Sequence, residues 1–251
     1  TGFDYDRFWA GRQYEHQCEL LALGKLVGNR KLQVAVDIGG GFGRLTRWLA
    51  AHSRKVYLVE PSARMRLAAK KYLAKYPQVS IRPGQAQDTN LPGKCADLVM
   101  LVRVIHHLPE AAPVLAEARR ILKPHGLLVL EFANSLHILA RLNSWLTGRP
   151  ILPTPVERRR AENIAAGTIP FVNHHPVAMQ KLLTRQGYKV VQILSVSNFR
   201  HRVFKLFMPL SVLLGLESFL QSQLAGLYFG PSIFVLARRV NGERSRTIDK
   251  P

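Results

Sequence analysis

Between residues 33 and 133 the chain alternates two hydrophobic rhythms. Short apolar runs at 33–38, 56–60, 79–82, 98–102 and 127–132 read as β-strands. The first, fourth and fifth are nearly continuous, as strands covered on both faces must be. Between the runs, apolar residues recur at helical spacing over 44–53, 63–75 and 111–122, and Pro77, Pro92-Gly93 and Pro124-His125-Gly126 punctuate the joints. Strand and helix in repetition predict βαβ units, hence an α/β fold with a mostly parallel sheet and helices on both faces.

The flanks are less regular. Upstream, 14–26 predicts a helix preceded by the aromatics Phe3, Tyr5, Phe8 and Trp9. Downstream, 134–171 breaks the alternation with Pro150, Pro153, Pro155 and the run Arg158-Arg159-Arg160 around a short helix at 136–146. That stretch is expected to form a cap insertion over one sheet edge. A helix at 176–186, a strand at 188–196, an apolar helix at 210–227 and a strand at 232–237 complete the pattern. In the apolar helix Leu213, Leu216, Leu220, Leu224 and Leu227 share one stripe opposite Ser211, Ser218 and Gln221. The stripe predicts a leucine face turned to the core. The alternatives are an apolar substrate tunnel or, over 203–227, an interfacial membrane-binding helix flanked by Arg200, Arg202 and Lys205. The uncharged stretch 218–237 approaches the length of a bilayer crossing, but Gln221, Gln223, Gly226 and Gly230-Pro231 divide it into a helix end and a strand. The expected organisation is a helical lid over 1–30, one domain over 31–239 and a polar tail over 240–251.

Charge narrows the partners without choosing among them. Lys and Arg number 36 against 16 Asp and Glu, a formal +20 that favours nucleic acid, anionic lipid headgroups or acidic small molecules. The basic residues are scattered, with local clusters at 64–71, 158–160 and 200–205. Cys18 and Cys95 stand far apart with no metal-ligand spacing, which gives no disulfide framework and no metal site and fits a reducing, cytoplasmic setting. The first visible residues, Gly2 to Arg7, lack the apolar core of a signal peptide.

The chemistry concentrates where the first strand ends. Asp37-Ile38-Gly39-Gly40-Gly41-Phe42-Gly43 passes from strand to helix through glycines, whose missing Cβ lets the backbone turn and a ligand lie against it. A dinucleotide fingerprint starting at Gly39 requires glycine at 44, where Arg44 stands. The next strand ends in Glu60, a carboxylate able to accept both hydroxyls of a ribose.

This Asp-x-Gly-x-Gly-x-Gly loop with its acidic partner resembles the first motifs of class I S-adenosylmethionine-dependent methyltransferases. The resemblance continues through Gly84-Gln85-Ala86-Gln87-Asp88, Leu91-Pro92, Ala96-Asp97-Leu98-Val99, the loop Val102-Arg103-Val104-Ile105-His106-His107-Leu108 and the turn from Arg120 to Gly126. It implies a Rossmann-like, seven-stranded sheet of order 3-2-1-4-5-7-6 with the last strand antiparallel. It also implies S-adenosyl-L-methionine as cofactor, held by Asp37, Gly39, Gly40, Gly41 and Gly43, by Glu60 with Pro61 and Met65, by Gln85 and Ala86, and by Val102 and Arg103. Gln85 departs from the family's usual aspartate. Near the N-terminus Arg12-Gln13-Tyr14-Glu15 resembles the family's lid, which implies Tyr14 closing over the methionine end; simple packing on the sheet is the other reading.

His106 and His107 stand where the active-site rim belongs, and either suits a general base because imidazole titrates near neutrality; a structural role for the pair stays open. Asn173-His174-His175 opens a helix, with Asn173 or His174 expected as its cap. The stretch Leu101-Val102-Arg103-Val104 lacks the proline and aromatic with which amino-group base methylases stack a flipped base, so nucleic acid is disfavoured. Similarity to methyltransferases of ubiquinone and menaquinone synthesis implies a small, aromatic or lipid-like acceptor, with peripheral contact to anionic membrane left open. An RNA- or protein-directed methyltransferase and a non-catalytic cofactor-binding module are the competing readings.

Overall fold

In the computed structural model, which describes residues 11–108 and 110–240, one helix and a βαβ alternation lead into the sheet. The elements are α1 (Gln13–Val27), β1 (Leu32–Ile38), α2 (Thr46–His52), β2 (Ser53–Val59), α3 (Ala63–Tyr72), β3 (Val79–Arg82), β4 (Ala96–Leu101), a 3-10 turn (Ile105–His107), α4 (Ala112–Ile121) and β5 (Leu122–Ala133). After them come α5 (Ile138–Thr147), β6 (Val156–Glu157), α6 (Ala161–Ala165), β7 (Val172–Asn173), α7 (Pro176–Arg185), β8 (Tyr188–Val196), α8 (Arg202–Phe207), α9 (Leu210–Gln223) and β9 (Ser232–Arg239). Phe3, Tyr5, Phe8, Trp9 and the tail from 241 lie outside the described residues.

The main sheet runs β3-β2-β1-β4-β5-β9-β8. With the small β6–β7 hairpin set aside, this is the expected 3-2-1-4-5-7-6. The first five strands are parallel, and β9 lies antiparallel to both β5 and β8.

The near-continuous apolar strands divide their side chains between two cores, because successive residues of a strand point to opposite faces. Val36, Ile38, Val99, Leu101, Leu128 and Leu130 pack with Val114, Leu115, Ala118 and Ile121 of α4 and with Met179 and Leu183 of α7. Their neighbours Ala35, Leu98, Met100, Leu127 and Val129 pack the other way, with Leu23 and Leu26 of α1, Leu49 of α2 and Leu213 of α9. Each such fully buried Val, Leu or Ile stabilises the fold by about 1.5–3 kcal/mol.

Three expectations are corrected. The leucine stripe of α9 does not form its core face: Leu213 is buried, but Leu216 and Leu227 are exposed, while Glu217 and Gln221 are fully buried. The reason is a polar seam with α1, in which Gln221 donates to the Cys18 carbonyl at 2.9 Å and Tyr14 donates to Glu217 at 2.8 Å. Helix α1 packs as a layer of that core. Tyr14 is buried in that layer, its oxygen also accepting from the Phe199 amide at 3.0 Å, so its contacts are structural and not those of a cofactor clamp. Finally, neither Asn173 nor His174 caps α7. The cap position is His175, which makes no capping bond, and Pro176 opens the helix at a position whose missing N–H costs nothing.

Among the described residues no helix is long and apolar enough to cross a membrane. The uncharged stretch 218–237 divides between α9 and β9.

Candidate active site

In a parallel sheet the loops after each strand gather at the carboxyl edge, and here they bring the sequence motifs together. β1 delivers Asp37 beside Met100 of β4, and the chain then turns through Gly39, Gly41 and Gly43 at φ of +69°, +58° and +93°. Gly39 donates to the Val59 carbonyl at 2.7 Å and Gly43 to the Gly40 carbonyl at 2.9 Å. Helical hydrogen bonding begins at once, with Arg47 donating to the Gly43 carbonyl at 3.1 Å.

The glycines are not equivalent. A Cβ on Gly39 would stand 2.6 Å from Val104 and one on Gly43 2.5 Å from Leu73, so both are required by protein packing. A Cβ on Gly41 would meet nothing within 4 Å. Its amide donates to Glu60 at 3.1 Å, and the other oxygen of that buried carboxylate accepts from the Ser62 amide at 2.9 Å. Glu60 therefore faces the bare loop. Pro61 is exposed and Met65 half-buried at the start of α3, where Ser62 caps the helix by accepting from the Met65 amide. The loop after β3 is a tight turn in which the Gln85 and Asp88 backbones exchange hydrogen bonds, with Gln85 exposed and Ala86 half-buried. Gln85 accepts from Gln87 at 2.6 Å through its side-chain oxygen.

Burial pushes the Asp37 carboxyl up to about 7, with Thr46, which donates to it at 2.6 Å, and Arg44 opposing the shift. The unfolded group titrates near ~3.9, so the folded chain keeps a proton that the unfolded chain releases, and stability falls as pH rises from about 4 to 7. Asp37→Asn keeps the acceptor for Thr46. In thermal melts it should match the native chain near pH 4 and exceed it at pH 8; a native chain that gains stability relative to the variant across that range would contradict the assignment.

Beneath the loop lies a charged network that sequence reasoning missed. Arg103 adopts φ +60°, a conformation that costs a non-glycine residue roughly 1–3 kcal/mol and clusters at functional sites. Its amide donates to Glu131 of β5 at 2.8 Å, and its guanidinium to Glu19 of α1 at 2.7 Å. Arg44 binds the same Glu19. Burial works against the charge of Glu19, but the two arginines outweigh it and hold the carboxyl below its usual range. Glu131 has less help: burial raises it, against Arg103 and Ser232. Glu131 and Glu19 read in the sequence as ordinary strand and helix positions, and only the long-range pairing reveals them.

The two histidines separate. His106 is buried, with its Nδ1 3.9 Å from Glu131, and burial together with His107 and Arg103 pushes it down to about 3. His107 is half-buried, and its Nδ1 lies 2.8 Å from the Pro170 carbonyl, a contact that requires the proton on Nδ1 and leaves Nε2 with a lone pair. The Phe171 ring lies tilted against the His106 ring with centroids 4.9 Å apart, so the end of the insertion sits on this rim. His174 is also buried nearby, its amide donating to the Ala133 carbonyl at 2.7 Å. No cluster of His, Cys, Asp or Glu suited to a metal occurs among the described residues.

The structure thus brings Asp37, the glycines, Glu60, Pro61, Met65, Val102, Arg103, His106 and His107 to one edge of the sheet. Asp97 serves the opposite edge, where it accepts from the Gln33 and Val34 amides at 2.9 and 2.8 Å and pairs with Lys123, tying β1 to β4.

Residues 36–130 match the family described as a methyltransferase domain. The ubiquinone/menaquinone biosynthesis C-methyltransferase UbiE of Rubrivivax gelatinosus is 28% identical over 131 residues, covering 47% of this chain and 51% of the relative. The demethylmenaquinone methyltransferase of Tropheryma whipplei is 27% identical over 117 residues, covering 46% and 48%. This chain thus spans about half the length of these two curated relatives. Among solved structures, the fold matches 1,6-didemethyltoxoflavin-N1-methyltransferase of Burkholderia thailandensis at a TM-score of 0.62, with 14% identity over 94% of this chain and 84% of that one. An S-adenosylmethionine-dependent methyltransferase of Mesorhizobium loti matches at 0.62, with 18% identity over 88% and 98%. Residues 36–130 are thus similar to a methyltransferase domain, carried by a seven-stranded sheet of the order expected from the resemblance to class I S-adenosylmethionine-dependent methyltransferases.

Proposed function

We propose that the chain transfers the methyl group of S-adenosylmethionine to a small, apolar acceptor entering between the insertion and α8. One observation carries the cofactor half: the side-chain space above Gly41 is open, and the carboxylate bonded to its amide is Glu60. A ribose lying on the loop would find in Glu60 an acceptor for its hydroxyls, and Pro61, Met65, Gln85 and Ala86 would complete the cofactor's cradle. The sulfonium supplies a methyl group that is already electrophilic. The protein is left to align the acceptor and exclude water. In calorimetry with S-adenosylhomocysteine, Glu60→Ala should weaken binding by about 1.5–3 kcal/mol, the range for a hydrogen bond to a charged group. Unchanged affinity would remove Glu60 from the site.

The acceptor half rests on a cleft of about 660 Å³ whose lining includes Ile138, Leu139, Val203 and Phe204, with Arg200 and His201. It opens on the edge where β5 ends at Ala133 against the start of β9 at Ser232. An apolar ring suits those walls, and the names of the quinone-modifying relatives support the same choice. For a hydroxyl or an acidic ring carbon, a base helps. His107 is the better suited of the two histidines, since it is only half-buried and the Pro170 carbonyl fixes the tautomer that leaves Nε2 as proton acceptor. The buried His106 is held neutral and orients the rim through its packing on His107 and Phe171. With tritiated S-adenosylmethionine and a panel of phenols and quinols, His107→Gln should lower kcat by roughly 10²–10⁴ and leave S-adenosylhomocysteine affinity alone. Native turnover in that variant would exclude His107 as base.

A further inference from the structure

Helix α5 is amphipathic, yet none of its residues is buried. Leu139, Leu142, Trp145 and Leu146 recur along it at helical spacing, and Trp145 is 78% and Leu146 68% exposed. A short helix ordinarily owes its stability to packing such a face against something, and no described residue covers this one. Across the acceptor cleft α8 repeats the pattern, with Phe207 82% and Leu206 68% exposed. The two helices flank one opening, because Leu139 of α5 and Phe204 of α8 line the same cleft.

The charge around this face is predominantly positive. Residues 134–171 carry five arginines against Glu157 and Glu162, and Glu157 is paired with Arg159. Residues 197–230 carry Arg200, Arg202 and Lys205 against the buried Glu217, and Glu15 of α1 pairs with Lys205 at 2.6 Å and with Arg200 at 3.7 Å, which leaves the segment with a positive excess. A second copy of the chain would bring two surfaces of the same charge together. A phosphate backbone would satisfy the arginines and leave the leucines, Trp145 and Phe207 in water. An anionic bilayer satisfies both, since its headgroups attract the basic residues and its acyl boundary takes in an apolar helix face. Trp145 is of the residue type that favours the membrane–water boundary. At ten residues α5 is too short to cross and suited to lie in the plane of the interface.

We infer that α5 and α8 form a docking face for an anionic lipid surface, holding the acceptor cleft between them against the membrane. The inference goes beyond methyl transfer and does not need it, because docking is read without cofactor or acceptor.

The test is co-sedimentation of the native chain with sucrose-loaded vesicles of phosphatidylcholine, alone or with one third phosphatidylglycerol, over a series of salt concentrations. The native chain should pellet with the anionic vesicles and less so as salt rises. The double variant Trp145→Glu, Leu146→Glu alters two exposed side chains outside the cleft lining, so its melting temperature should stay native while its partition falls roughly ten-fold or more. Binding by the variant equal to native would overturn the inference, as would a native chain that stays in the supernatant with both vesicle types. So would a native dimer that the double variant converts to monomer, which would assign the face to a second copy.

Discussion

Valine at position 41 should leave the chain without measurable affinity for S-adenosylhomocysteine while its melting temperature falls by only a few degrees. The asymmetry follows from where the new atoms go. At φ +58° a non-glycine residue is strained by about 1–2 kcal/mol, somewhat more when β-branched, and in a domain of this size each kcal/mol lowers Tm by about 2–4 °C. The new Cβ meets no protein atom within 4 Å. The space it enters is the floor on which the ligand must lie. Gly43→Ala supplies the contrast: its Cβ meets Leu73 at 2.5 Å, so the fold suffers first and binding only in consequence. Calorimetry with S-adenosylhomocysteine beside thermal melts of the two variants separates the cases. Native affinity in Gly41→Val would mean that the loop does not hold the cofactor.

The largest loss of stability is expected far from that loop, in Glu217→Ala. Glu217 is fully buried in α9 and accepts from the Tyr14 hydroxyl, the Ser197 and Asn198 amides and the side chains of Asn198 and Gln221, at 2.7 to 3.2 Å. Alanine removes the acceptor and leaves those donors in a cavity that water reaches poorly. A buried polar group stripped of its partner costs about 1–3 kcal/mol, and several lose theirs together, so a loss of roughly 3–5 kcal/mol is expected. That corresponds to a fall of roughly 10 °C in Tm, with cofactor affinity unchanged in the fraction that remains folded. Glu217→Gln keeps one acceptor oxygen and should recover part of the loss. An alanine variant melting within about two degrees of native would show that water replaces the carboxyl group.

How far the sequence can be read depends on the range of the interaction. The alternation over 33–133, the glycine loop and Glu60 are legible because a strand end, a bare backbone and an acid are local signals, and the sheet then brings them to one edge automatically. Helix α9 misleads because two stripes compete at the same helical spacing, and the leucines outnumber the pair that is buried. What decides the matter is Tyr14 and Cys18, some two hundred positions away, which offer Glu217 and Gln221 their partners. Tyr14 misleads for the same reason. The histidine pair is visible as a pair, but its division of labour is not, since the Pro170 carbonyl that orients His107 belongs to a loop 63 residues downstream. Glu19 and Glu131 carry no local mark at all.

The reversal at β9 shapes how such a chain can diversify. Because β9 runs against its neighbours, the crossover from β8 emerges on the same rim as the insertion after β5, and both lie in the later part of the chain. In the function proposed above, the residues that would hold the methyl source lie before residue 104, and the walls that would meet the recipient lie after residue 133. Lengthening or swapping the later segments would retarget the reaction and leave the donor end undisturbed, as a tool changes its bit and keeps its motor.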